Sequence, residues 1–167
     1  MLASARVAFA QAGPELLEAC INALRTHPQP PRGRPAHTTG NTERQLRFEE
    51  DDSSLTMFGP SHLQTLITGR GPTKSSTAGD TPLREILAQW AEDKGIQLND
   101  PNMTYKQFGF LAARKMHEWG SELYAMGQPS GLLDQVLSPE FLNTLKARIA
   151  AGEMVAITST LRGVLNS

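Results

Sequence analysis

The sequence has a single cysteine, Cys20, so no internal disulfide can form and no multi-cysteine metal cluster can assemble. Its 167 residues are enough for one domain with a real core and a flexible arm. No apolar run approaches the ~20 residues needed to cross a bilayer. There is no excess of charge of one sign: the net charge is −1, and a chain whose main task is gripping duplex DNA is usually more positive. The four histidines, His27, His37, His62 and His117, are scattered and form no His-Glu-x-x-His motif. No Gly-x-Ser-x-Gly elbow and no Cys/His dyad appears, so nothing supplies a nucleophile, a base and an oxyanion donor together. The expectation is a chain with no enzymatic activity and no cofactor or metal. The N-terminus is mildly apolar but broken by Arg6, which argues against a signal peptide and for a soluble protein assembled in the cytoplasm.

What is present is organised around Thr65–Leu98. Leu66-Ile67 ends an apolar run at the loop Gly69-Arg70-Gly71-Pro72-Thr73-Lys74, and a linker of small residues follows. Thr81 is the expected N-cap of the next helix, with Pro82 at its first position. Leu83, Ile86, Leu87 and Trp90 recur at helical spacing, and Gly95 followed by Ile96 reads as a left-handed stop with an apolar clamp. Downstream, Thr104 and Gln107 form a capping box, and Phe108, Leu111, Ala112, Met116, Trp119 and Leu123 predict a broad apolar face. Core packing is the expected role of both tryptophans, rather than base stacking.

The rest reads in order. Pro14–Arg25 predicts a helix that reaches back towards Ser4 with a break at Gly13-Pro14. Cys20 lies on its apolar stripe, as expected of a buried, inert thiol. Pro28, Pro30, Pro31 and Pro35, with Arg32 and Arg34 among them, predict a stiff extended connector, either a solvated linker or an arm laid on a partner. Alternation over Glu43–Glu49 predicts a strand. Glu50–Ser53 is a turn, Leu55–Phe58 a returning strand, and His62–Thr68 a third. Ser138-Pro139 opens a further helix lined by Phe141, Leu142, Leu145 and Ile149, weakening at Gly152. The stretch from Met154 to Leu165 fits helix or strand. The fold class is therefore α+β: a small antiparallel β-sheet packed against several α-helices, with extended arms. The segments are 1–27 (N-terminal helix), 28–42 (Pro-rich arm), 43–127 (sheet plus helices) and 128–167 (C-terminal helix and tail).

The glycine loop is not a P-loop, because Thr68 and Thr73 stand where the two motif glycines belong. It reads as a glycine turn with Arg70 and Lys74 exposed. The acidic run Glu49–Asp52 lacks the spacing of a calcium loop and reads as a solvated hairpin tip.

Two motifs carry a resemblance. The Gly-Arg-Gly-Pro loop is followed by Pro82-Leu83, Trp90 and Lys94-Gly95-Ile96. The run Phe110-Leu111-Ala112-Ala113-Arg114-Lys115-Met116-His117-Glu118-Trp119-Gly120 comes after it. Their order and separation resemble the tail-completion, or neck, proteins of long-tailed bacteriophages, over Leu66–Leu123. Trp119 departs from the smaller or charged residues commoner there. The resemblance implies a virion structural protein that forms a homo-oligomeric ring, commonly sixfold, between head connector and tail tube, with DNA passing through the lumen unbound. Arg32, Arg34, Gly69, Arg70, Gly71 and Lys74 are the interface candidates on this reading. The alternative is a nucleic-acid-binding accessory protein, in which Arg32, Arg34, Arg44, Arg47, Arg70 and Lys74 form one basic face.

Overall fold

The structure is a computed structural model and describes residues 3–74 and 81–165. The elements are α1 (Ala3–Thr26), α2 (Asn41–Arg44), β1 (Arg47–Glu50), β2 (Leu55–Phe58), α3 (Leu63–Thr68), α4 (Leu83–Asp93), α5 (Tyr105–Trp119), α6 (Glu122–Ala125), α7 (Leu132–Val136) and α8 (Pro139–Leu165). This is an α+β fold with a small antiparallel sheet, as the sequence predicts. The chain divides into two compact units. One holds residues 1–27, 43–60 and 132–167; the other holds 28–42 and 61–131, so the boundary cuts across segment 43–127.

In the first unit α1 packs on α7, α8 and the hairpin. Its buried face is mostly alanine: Ala5, Ala8, Ala12 and Ala23, with Leu16 and Leu24. Small side chains let neighbouring elements approach closely. The helix runs unbroken through Gly13-Pro14, contrary to the expected break. Gly13 is needed there for space, since a Cβ would lie 2.4 Å from the ring of Phe48. Cys20 is half-buried, and burial pushes its thiol pKa up. Arg148 clamps Glu15 with two hydrogen bonds of 2.9 Å, joining α8 to α1. Ser138 caps α8 by accepting from the Phe141 amide, and α8 stays helical to Leu165, which resolves the helix-or-strand alternative.

Strands β1 and β2 pair antiparallel, with Arg47 opposite Phe58 and Glu50 opposite Leu55. The predicted first strand begins later than expected, because Asn41–Arg44 forms the short α2 instead. The hairpin tip is held by Asp51. Its carboxylate accepts from the Ser53 amide (2.7 Å), the Ser54 amide (2.8 Å) and both serine hydroxyls (2.9 and 2.8 Å).

In the second unit the predicted strand His62–Thr68 is the helix α3. Short apolar runs carry too little periodicity to separate the two. Helix α4 begins one position later than expected: Pro82 is the N-cap, and no side-chain cap bond forms. Its end matches the expected stop, with Gly95 at φ +60°. The Gly95 amide donates to Glu92 O and the Ile96 amide to Ala91 O, the paired bonds of a left-handed helix terminus. The capping box of Thr104 and Gln107 starts α5, and Gly120 ends it. The small-residue linker expected over residues 75–80 lies outside the described residues.

Helix α5 packs along α4. The seam is small: Gly109 and Ala113 are buried on α5, Ala91 on α4. A Cβ on Gly109 would lie 2.2 Å from the carbonyl oxygen of Arg84. Because the helices meet through these residues, the larger apolar ones turn outward. Trp90 is 40% exposed and Trp119 66%, contrary to the expected core role. Ile86, Phe110 and Leu111 are exposed as well.

Two outcomes are expected, one for the α4–α5 seam and one for the hairpin tip. Gly109→Ala forces α4 and α5 apart and lowers stability by ~1–3 kcal/mol in urea denaturation. The second concerns acid. The hydrogen bonds at Asp51, led by the Ser53 amide, lower its pKa from 3.8 to about 2. A carboxylate whose folded pKa lies below its unfolded value stabilises the fold fully above the unfolded value and loses that contribution as pH falls through the folded one. An NMR titration is expected to give an Asp51 midpoint of about 2. Between pH ~4 and ~2 the wild-type chain is expected to lose stability more steeply than Asp51→Asn.

Candidate interaction surface

The glycine loop of the second unit is fastened by main-chain bonds. Gly69, at φ +78°, caps α3 and returns its amide to Thr65 O. Arg70 then makes a reciprocal pair with Ser121: its amide donates to Ser121 Oγ (2.9 Å), and its carbonyl accepts from the Ser121 amide (2.7 Å). The Thr73 amide donates to His117 O (3.0 Å), and its hydroxyl bonds His117 Nδ1 (2.6 Å). A Cβ on Gly69 would lie 2.3 Å from the Tyr124 amide nitrogen, and one on Gly120 would lie 2.7 Å from Arg70 O. Gly71 sits against the Tyr124 ring. These glycines are required because backbones touch. The Arg70 and Thr73 amides are spent within the unit, which leaves them unavailable to a phosphate.

The candidate cations fare differently. Arg70 is half-buried, not exposed as expected; its Nη2 donates to Thr73 Oγ1 (3.1 Å). Lys74 is exposed. Arg32 makes a two-pronged bond to Glu122, Nε to Oε2 (3.1 Å) and Nη2 to Oε1 (3.0 Å). That pairing, first by hydrogen bond, holds the Glu122 carboxyl below its usual range. Arg34 is exposed and, with Arg32, lines an open depression floored by Gly95, Ile96 and Gln97.

Residues 28–42 are tied down rather than free. The Gln29 amide donates to Arg34 O and the Gly33 amide to Gln29 O, closing a tight turn. Lys94 Nζ donates to the carbonyls of Pro35 (2.9 Å) and His37. Burial, and then the charge of Arg34, lower the Lys94 pKa.

The structure therefore brings Arg32, Gly69, Arg70 and Gly71 together around the short helix α6 and its cap Ser121. Arg34 stands apart at the end of α4. Sequence reasoning missed Ser121, Glu122 and Tyr124. The Ser-Glu pair after Gly120 was a legible capping signal, but its use by a loop 51 positions away was not. Among the described residues no group of His, Cys, Asp and Glu is placed to hold a metal ion. No described helix is long and apolar enough to cross a membrane.

Comparison with protein-family models, with curated proteins and with solved structures returns no match.

Ser121→Ala removes the acceptor for two amides, those of Arg70 and Tyr124. A loss of ~1–2 kcal/mol is expected in urea denaturation. Arg32→Ala, which breaks an exposed pair, is expected to cost under ~1 kcal/mol in the same assay.

Proposed function

We propose that this chain is a structural subunit of the neck or tail terminus of a long-tailed bacteriophage, working as one copy in a ring between head connector and tail tube. The observation that carries the reading is the clamp between Arg70 and Ser121. It joins the two stretches on which the resemblance rests, the Gly-Arg-Gly-Pro loop and the end of the helix that closes at Gly120. The motifs are thus two halves of one contact, which gives their spacing a structural cause.

The surface supports a role in assembly. Trp90, Phe110, Leu111 and Trp119 are exposed on α4 and α5, while no large side chain among the described residues is fully buried. Large apolar side chains left at the surface are available for burial in a protein–protein contact, and tryptophans supply much of the energy at such sites. Arg34 and Lys74 are the cations of the candidate set that stay exposed. A ring needs a heterologous interface that closes. Sixfold closure is the number the resemblance implies.

The nucleic-acid reading has less behind it. Arg32 is neutralised by Glu122, Arg70 is folded onto its own loop, and Arg47 lies over the Phe58 ring and beside Glu49.

Negative-stain imaging of the purified chain, alone and with a tail-tube subunit, tests the proposal. Rings that dock on the tube are expected, and Trp119→Glu is expected to abolish docking or closure while leaving the far-UV spectrum unchanged. DNA affinity that falls steeply with salt, without rings, would favour the alternative.

A further inference from the structure

The depression at the end of α4 lies wholly within the second unit. Arg32 and Arg34 line it above Gly95, Ile96 and Gln97, and it offers about 580 Å³, room for several side chains. A Cβ on Gly95 would meet nothing within 4 Å, so the floor is open there. Two cations at this place lack an acidic partner among the described residues. Arg34 is exposed, and Lys94 donates to the carbonyls of Pro35 and His37. The charge of Arg34 reaches Lys94, and no described carboxylate offsets it there. Arg32 alone is matched, by Glu122.

The first unit carries the complement. Glu49, Asp51 and Asp52 are exposed at the hairpin tip, with Glu50 half-buried beside them. The bonds from Ser53 and Ser54 to Asp51 fix the shape of the tip, so docking costs it little ordering. The cations nearest the tip hold it loosely. Arg47 stands 3.6 Å from Glu49 and Arg6 3.9 Å from Asp52, between side chains that are all more than half exposed. Pairs of that kind are worth little and exchange readily.

We infer that the acidic hairpin tip of one copy docks in the Arg32–Arg34 depression of the next. The choice of a second copy rests on the ring reading above, which calls for a contact between two unlike faces of one chain. The two faces differ in sign as well as in shape. A planar guanidinium takes a carboxylate through two parallel N–H bonds, so Arg34 selects an acidic group. Several acids on one fixed tip engage both arginines at once, which a lone carboxylate in an open depression does not. Duplex DNA needs a broader field of cations than two exposed side chains on a chain of net charge −1. The contact is also salt-labile, because screening shortens from about 10 Å at 0.1 M salt to about 3 Å at 1 M.

Sedimentation velocity of the full chain at about 0.1 M and about 1 M salt tests it. Two variants are compared, Arg34→Glu and the double Glu49→Ala, Asp52→Ala, both with Asp51 kept. Each alone is expected to weaken self-association about tenfold or more at the lower salt, with the far-UV spectrum unchanged. Raising the salt is expected to weaken the wild-type chain in the same way. Mixed, the two variants share one intact tip and one intact depression, and pairs that grow no further are expected. A wild-type chain that stays single at the lower salt, association indifferent to both variants, no pairing in the mixture, or capture of a DNA duplex through Arg34 would overturn the inference. Rings that dock on a tail tube yet ignore both variants overturn this contact and leave the neck reading standing. Pairing in the mixture with no docking on the tube does the reverse.

Discussion

Close approach of main chain to main chain is the constraint on which this structure depends. Arg70 and Ser121 exchange hydrogen bonds at 2.7 and 2.9 Å, and they do so only because Gly69 and Gly120 present no side chain at that point. The same device recurs at Gly109, which lets α5 press on the backbone of α4, and at Gly13, which gives the Phe48 ring its place on α1. Buried alanines along α1 extend it to a whole helix face. Each contact brings elements near at the expense of side-chain volume between them.

That economy has a consequence for the outside of the molecule. A core of alanine and glycine buries little large apolar surface, and hydrophobic stabilisation scales with the apolar area removed from water. The large residues are instead distributed outward: Trp90, Phe110 and Trp119 on α4 and α5, Met154, Val155 and Ile157 on α8. Such an arrangement suits a chain whose remaining apolar area is covered by neighbours in an assembly. Arg32–Glu122 and Arg148–Glu15 add polar ties that hold elements in place on the surface.

Local chemistry was legible in the sequence. The capping box at Thr104 and Gln107, the serine cap before Pro139, the left-handed stop at Gly95 and the hairpin around Asp51 all follow from residues within a few positions of one another. Long-range consequences were not. Periodicity marked Trp90 and Trp119 as apolar-face residues. It could not show that the opposing helix offers Gly109 and Ala113, so that the seam closes on smaller side chains. His62–Thr68 was too short for its period to separate strand from helix. Pro14 looked like a break, yet proline at an exposed helix position forgoes one amide bond while the tertiary contacts of α1 hold. At the candidate site the glycine loop was visible, but its partner Ser121 lies 51 positions away, and no local signal links the two.

Native mass spectrometry of the purified chain over a dilution series reads directly whether copies of it assemble. Discrete species of several copies that dissociate only on dilution are expected. A single-copy mass at every concentration, with or without a tail-tube subunit present, would contradict it.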